Sequence, residues 1–324
     1  MTVIQSGGMS DDEQKQRALA SSQSMERGGL PLNAIERLQE QAARQGKPGS
    51  LFTSDLSVNE MLLTHQAGYV PLGQVMGSSV YHIGYQWTAN YAMGGGFNYM
   101  TYTGYGMEMD VLTRAYYNAR HLALGRMQQE AALLGATGVV GVRLDRKSYD
   151  WGAGLLEFAA IGTAIRETSA PPRPGPPFLS DLSGQDFWAL RLAGYHPVGF
   201  ALGNCSYFQL GNFSSQMATN GGFFGGSWAN QELTDFTQAL YQARNLAMSR
   251  MQAEALAVGA TGIVGADVEV KVEPQEIGDD NNRRIAMLYH YFSIGTAIAP
   301  LPGLPPEANL AMSVSLSDLK GAEL

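Results

Sequence analysis

The chain has 324 residues, 45% of them hydrophobic, with a formal net charge of -8, which suits about two packed domains and excludes global disorder. Its 21 Lys and Arg are scattered without forming a block, so a nucleic-acid backbone has no electrostatic footing as partner. No apolar run reaches the roughly 18 to 20 residues of a membrane span. The start MTVIQSGGMSDDEQ lacks an export signal and the single Cys205 permits no intrachain disulfide, so the expected location is cytoplasmic.

Residues 1–51 form a polar extension with two helix-start patterns, Ser10-Asp-Asp-Glu13 and Asn33-Ala-Ile-Glu36, the second ending near Gly46. Its Leu30, Leu32, Ile35 and Leu38 read either as tethered decoration or as a set that docks into a groove of a neighbouring subunit. From Phe52 onward the sequence repeats itself. Phe52-Thr-Ser-Asp-Leu-Ser57 returns as Phe178-Leu-Ser-Asp-Leu-Ser183, and Val111–Val142 pairs with Asp235–Ala266 at 18 of 32 identical positions. The expected division is 52–168 and 178–299 for the two copies, a Pro-rich linker over 169–177, and a Pro-rich tail over 300–324 whose Met312, Val314 and Leu316 alternate like a docking strand.

Within each copy the signals come in one order. Ser57-x-x-Glu60 is a capping box and Gly68 a C-terminal stop, predicting a short helix over 58–67; Ser183-x-x-Asp186 and Gly194 repeat it. Val70–Ile83 and His196–Leu210 read as strands with glycine bulges, each followed by a long loop. A helix from about Glu108 to Leu134, and from Glu232 to Val258, carries small residues at a spacing of four: Ala115, Ala119, Ala123 and their counterparts Ala239, Ala243, Ala247. This ridge lets a sheet approach closely. A Gly-rich turn and a β-hairpin ending in Gly-Thr-Ala-Ile complete the copy, giving strand, long helix, strand, strand. The fold class is α+β, an antiparallel sheet wrapped around a long helix, twice in tandem.

An Arg precedes a Glu by four on both helices, Arg126 with Glu130 and Arg250 with Glu254. Such a spacing is either an exposed helix pair or, with Arg120 and Arg244, part of a subunit interface or polar pocket. For a metal, the only thiol is Cys205, and Met93, Met100, Met107 and Met109 of the Gly-aromatic loop are the thioether alternatives, which suit Cu(I). No C-x-x-C or H-x-x-x-H spacing accompanies them, and a Met and Tyr set also serves as packing material. No phosphate loop, Gly-x-Ser-x-Gly, His-Glu-x-x-His or dinucleotide fingerprint is present, so the chain is expected to be non-enzymatic and to need no cofactor.

The helix core Ala119-Arg120-x-x-Ala123-x-x-Arg126-Met127-x-x-Glu130-Ala131, the turn Gly135-Ala-Thr-Gly-Val-Val-Gly141 and the terminal Gly162-Thr-Ala, all echoed in the second copy, resemble the YbjQ-like family. The resemblance implies dodecin-like β-α-β-β units that assemble as a pentameric ring, and a heavy-metal-binding role. Family members often carry a Cys near the positions of Leu72 and Val198, which differ here. Two functions follow as expectations: a structural homo-oligomer, in a five-fold two-tier ring or a larger cage, or a small-ligand or heavy-metal module with pockets between subunits.

Overall fold

A computed structural model of the chain describes residues 11–47, 51–82, 105–148, 155–169, 175–219, 230–277 and 284–301. Met93, Met100, most of the linker and the tail strand expected beyond 301 lie outside the described residues. Two helices, α1 (Asp11–Glu26) and α2 (Leu32–Arg44), precede α3 (Val58–Gln66), β1 (Tyr69–His82), β2 (Tyr105–Glu108), α4 (Asp110–Leu133), β3 (Gly138–Ser148) and β4 (Leu155–Glu167). Then follow β5 (Phe178–Leu179), α5 (Gly184–Leu192), β6 (Tyr195–Leu210), α6 (Phe213–Thr219), α7 (Thr234–Ala257), β7 (Gly262–Ile277) and β8 (Arg284–Pro300).

Local signals account for most boundaries. Ser57 and Glu60 exchange both bonds of the capping box at α3, whereas Ser183 at α5 accepts from the Asp186 N–H. Gly68, Gly135, Gly194 and Gly259 end their helices at positive φ. The bulges fall at Pro71/Gly73 and Pro197/Gly199, where proline removes a donor from the ladder.

Three helix starts differ from the expectation. Helix α2 begins at Leu32 behind Pro31 and not at Asn33, because the fixed proline φ of -66° prepares the turn without a side-chain cap. The long helices start at Asp110 and Thr234; Glu108 belongs to strand β2 because partners in the other repeat hold it there.

The repeats also exchange strands. One sheet has the order β1-β4-β3-β5 and the other β2-β6-β8-β7, so β2 of the first repeat joins the second sheet and β5, at the start of the second repeat, joins the first. Every described pairing is antiparallel except β3 with β5. Each exchange covers an edge that a three-stranded unit would leave bare.

The layers run sheet, α4, sheet, α7. A Cβ on Gly77 would overlap the Ala123 carbonyl of α4, and one on Gly203 the Ala247 carbonyl of α7, so the small-residue ridge of each helix lies against its own sheet. Even-numbered Leu202, Phe208 and Leu210 of β6 share a core with α4, while Cys205 packs with α7 on the opposite face. The second sheet therefore carries a helix on both faces. Leu30 and Leu38 are buried in the same core as α4, so the N-terminal hairpin docks on its own chain rather than standing off as decoration.

Candidate functional site at the junction of the repeats

The helix residues singled out by spacing converge on the edge of β1 and on the stretch of β6 that lies beyond its pairing with β2. In the first repeat the Met76 N–H donates to Glu130 Oε2 at 2.9 Å, and Arg126 Nη1 donates to the Ser78 carbonyl at 2.6 Å. In the second, the Leu202 N–H donates to Glu254 Oε2 at 2.8 Å, and Arg250 Nη1 to the Asn204 carbonyl at 2.9 Å. Four helical residues rise about 6 Å and two strand residues about 6.8 Å, so an Arg-x-x-x-Glu on a helix beside a strand meets alternate backbone groups of that edge. Neither is the exposed helix pair of the simpler reading. Both occupy backbone donors and acceptors that would otherwise recruit another strand.

Different elements close the two edges. Arg126 also donates to the carbonyls of Gly29 (Nε, 3.1 Å) and Met25 (Nη2, 3.0 Å), and Glu130 takes Arg37 of α2 at 3.1 Å. At the second edge Arg250 instead forms a two-point pair with Glu108 at 2.6 and 2.8 Å, and His121 of α4 stands 3.3 Å from Glu254. Burial pushes the Glu130 carboxyl above the usual carboxylate range despite its two donors. Burial acts the same way on Glu108, but the Arg250 guanidinium more than offsets it and holds the carboxyl below that range.

From there α4 runs onto the outer face of the second sheet. The Tyr117 hydroxyl donates to the Leu202 carbonyl and accepts from the Asn204 N–H; Thr113 Oγ1 accepts from the Ser206 N–H and its carbonyl from Asn204 Nδ2. Tyr116 stands edge-on to Phe292, with ring centroids 4.9 Å apart. Arg120 is 3% exposed, donates to the Ser293 carbonyl at a long 3.4 Å, and has no described partner at Nε or Nη1. It floors a cleft of about 300 Å³ with Arg143, Arg146, Asp181, Asp267 and Glu269 along the walls. Burial lowers its pKa to about 10, which leaves it protonated at neutral pH. Its counterpart Arg244 is exposed.

The described metal candidates, Cys205, Met107 and Met109, do not come together. Among the described residues no three His, Cys, Asp or Glu side chains converge as a metal site. Cys205 packs with α7, whereas Met107 and Met109 pack with the core around α4. Burial, reinforced by neighbouring Glu108, pushes the Cys205 thiol up to about 12, so it is a protonated core group and a poor ligand. These residues do not fit a heavy-metal site. A thiol-specific disulfide reagent is expected to label native protein no faster than it unfolds, and prompt stoichiometric labelling would contradict this.

The sequence missed β2 and Glu108 as partners of the second repeat. The one available signal was the recurrence of Glu108 as Glu232 at the same offset as the helices. Among the described residues no helix is long and apolar enough to cross a membrane.

The family described as "Putative heavy-metal-binding" (YbjQ) matches residues 88–168 and 220–299. The chain is 45% identical over 219 residues to the encapsulin nanocompartment protein Rv1762c of Mycobacterium tuberculosis, covering 66% of this chain and 76% of that protein. It is also 43% identical over 60 residues to a UPF0145 protein of Clostridium perfringens, covering 18% of this chain and 55% of the relative. With its helix core and glycine turn present in both repeats, the chain belongs to the YbjQ-like family.

Proposed function

We propose that this protein is a non-enzymatic structural component that assembles with itself into a closed, symmetric homo-oligomer in the cytoplasm. The observation that carries the reading is the mating of the repeats: the first gives a strand and a helix face to the second, a contact between unlike surfaces whose counterparts on α7 and the first sheet are largely exposed among the described residues. The name of its Mycobacterium tuberculosis relative, an encapsulin nanocompartment protein, supports an assembly role of the same kind. The order β1, α4, β3, β4 supports a dodecin-like unit in each repeat. Side-by-side packing of the repeats favours domains alternating around one ring over the five-fold two-tier arrangement.

Multi-angle light scattering of the purified chain at micromolar concentration is expected to give one discrete multiple of the 34.9 kDa chain mass. A monomer would sink the reading. The ligand-binding alternative draws on Arg120, whose buried guanidinium without a described carboxylate partner suits a small anion better than a metal cation.

A further inference from the structure

The two repeats share a sequence but not an environment, and the mismatch identifies the missing partner. On α4, Thr113, Tyr116, Arg120 and Leu124 are buried against the second sheet. The same positions of α7, 124 residues on, are Thr237, Leu240, Arg244 and Met248, half-buried or exposed, with Tyr241 at 59% exposure where Tyr117 bonds to β6. The receiving surface is duplicated too. Leu202, Asn204 and Ser206 of β6, which take α4, correspond to Met76, Ser78 and Val80 of β1; Met76 is 50% and Val80 66% exposed. Helix α7 therefore presents a face like that of α4, and the first sheet presents an outer face like the one α4 covers.

A second correspondence comes from the other side of the repeats. The lead-in segment of the second repeat lies along β3: the Gly141 N–H donates to the Leu182 carbonyl, the Val142 N–H to the Ser180 carbonyl, and the Ser180 N–H to the Val139 carbonyl. Ser180 meanwhile contacts Thr296 of its own repeat at 3.0 Å. In the first repeat Ser54 contacts Thr163 in the same way, at 3.2 Å. The strand that would complete the repetition, β7, ends its sheet among the described residues, with Gly265 and Ala266 exposed where Gly141 is half-buried and Val142 buried.

We infer that a second copy of this chain docks head to tail, its α7 face seating on the outer face and β1 edge of the first sheet, while β7 of that copy receives the Ser54–Leu56 segment. The inference deepens the assembly reading and rests on it. Glu232, the counterpart of Glu108, then approaches Arg126, and Asn245, the counterpart of His121, approaches Glu130. The end of α1 and the turn after it hold Arg126 through Met25 and Gly29, and Arg37 holds Glu130, so the docked copy takes both side chains from the hairpin. Because the mating surfaces are unlike, the contact propagates until rotation closes the ring.

Complementary blocked variants of the full chain test this. A helix-face variant, Tyr241→Glu with Arg244→Glu, and a sheet-face variant, Met76→Glu with Val80→Glu, are each expected to be monomeric by light scattering. Mixed one to one, they are expected to form a dimer and nothing larger, since one intact face of each kind remains. If both variants keep the wild-type oligomer mass, or the monomers fail to pair on mixing, the docking inference falls while self-assembly stands. A monomeric wild-type chain would instead remove the assembly reading itself. Should a glutamate variant fail to fold, Thr237→Cys and Val80→Cys in one chain provide a second measurement, because their counterparts Thr113 and Ser206 are hydrogen-bonded at 3.0 Å. Oxidation is then expected to crosslink separate chains, and absence of the crosslink overturns the docking.

Discussion

Gly77→Ala and Gly203→Ala are each expected to destabilise the fold by about 3 kcal/mol or more, at the upper end of the cost of overpacking. The added methyl of Gly77→Ala meets the Ala123 carbonyl and the Met127 backbone nitrogen, and that of Gly203→Ala meets the Ala247 carbonyl. Helix backbone cannot swing aside as a side chain can. The strand must separate from the helix, and the alanine ridge loses close contact along its length. Gly125→Ala is the internal control, since nothing lies within 4 Å of a Cβ there and the residue is in the interior of α4. It is expected to be neutral or to stabilise by up to about 1 kcal/mol through helix propensity. Urea melts of the three variants decide this, and a Gly77→Ala midpoint equal to wild type would contradict the close approach.

Removing the Glu108–Arg250 pair has the second large expected effect. The pair joins β2 of one repeat to α7 of the other in two-point geometry, with both side chains a third exposed or less. Glu108→Gln is expected to cost about 2 kcal/mol, between the values for exposed and fully buried pairs. Arg250→Ala should cost somewhat more, because the Asn204 carbonyl loses its donor as well. The pH dependence has a defined sign. Glu108 titrates below the ordinary glutamate value of 4.5 in the fold, so its contribution is complete above the unfolded value and is lost as pH falls through the lowered folded value. The gap between wild type and Glu108→Gln should therefore narrow on acidification below about pH 4.5. A gap that is constant from pH 7 to pH 3 would show that the carboxylate charge is not what joins the repeats.

Much of the fold was legible because its signals are local. Capping boxes, stop glycines and the alanine ridge each act within a few residues, and duplication showed every signal twice. The Arg-x-x-x-Glu spacing was equally visible on both helices, yet its partners were not, because Met76, Ser78, Leu202 and Asn204 contribute backbone groups that carry no residue identity. Strand β2 was illegible for another reason. Four residues supply little periodicity, and their ladder partners Tyr207–Leu210 lie about a hundred residues away. The same local signals predicted equal helices, whereas among the described residues α4 is enclosed by both sheets and α7 packs on the second sheet alone, a difference that local signals do not carry.

The exchange of strands also bears on how the protein is made. When the ribosome has released only the first repeat, β3 has no β5 beside it, and Tyr116 and Leu124 of α4 have no second sheet to face. The first repeat is therefore expected to stay open until the chain beyond Leu179 emerges, its final packing waiting for β6 and β8. Long-range pairing of this kind slows folding and prolongs exposure of bare edges. Arrested nascent chains ending before residue 178 are expected to be cut rapidly by protease, while chains released after residue 301 resist it, so translation itself sets when the molecule becomes competent to meet another copy.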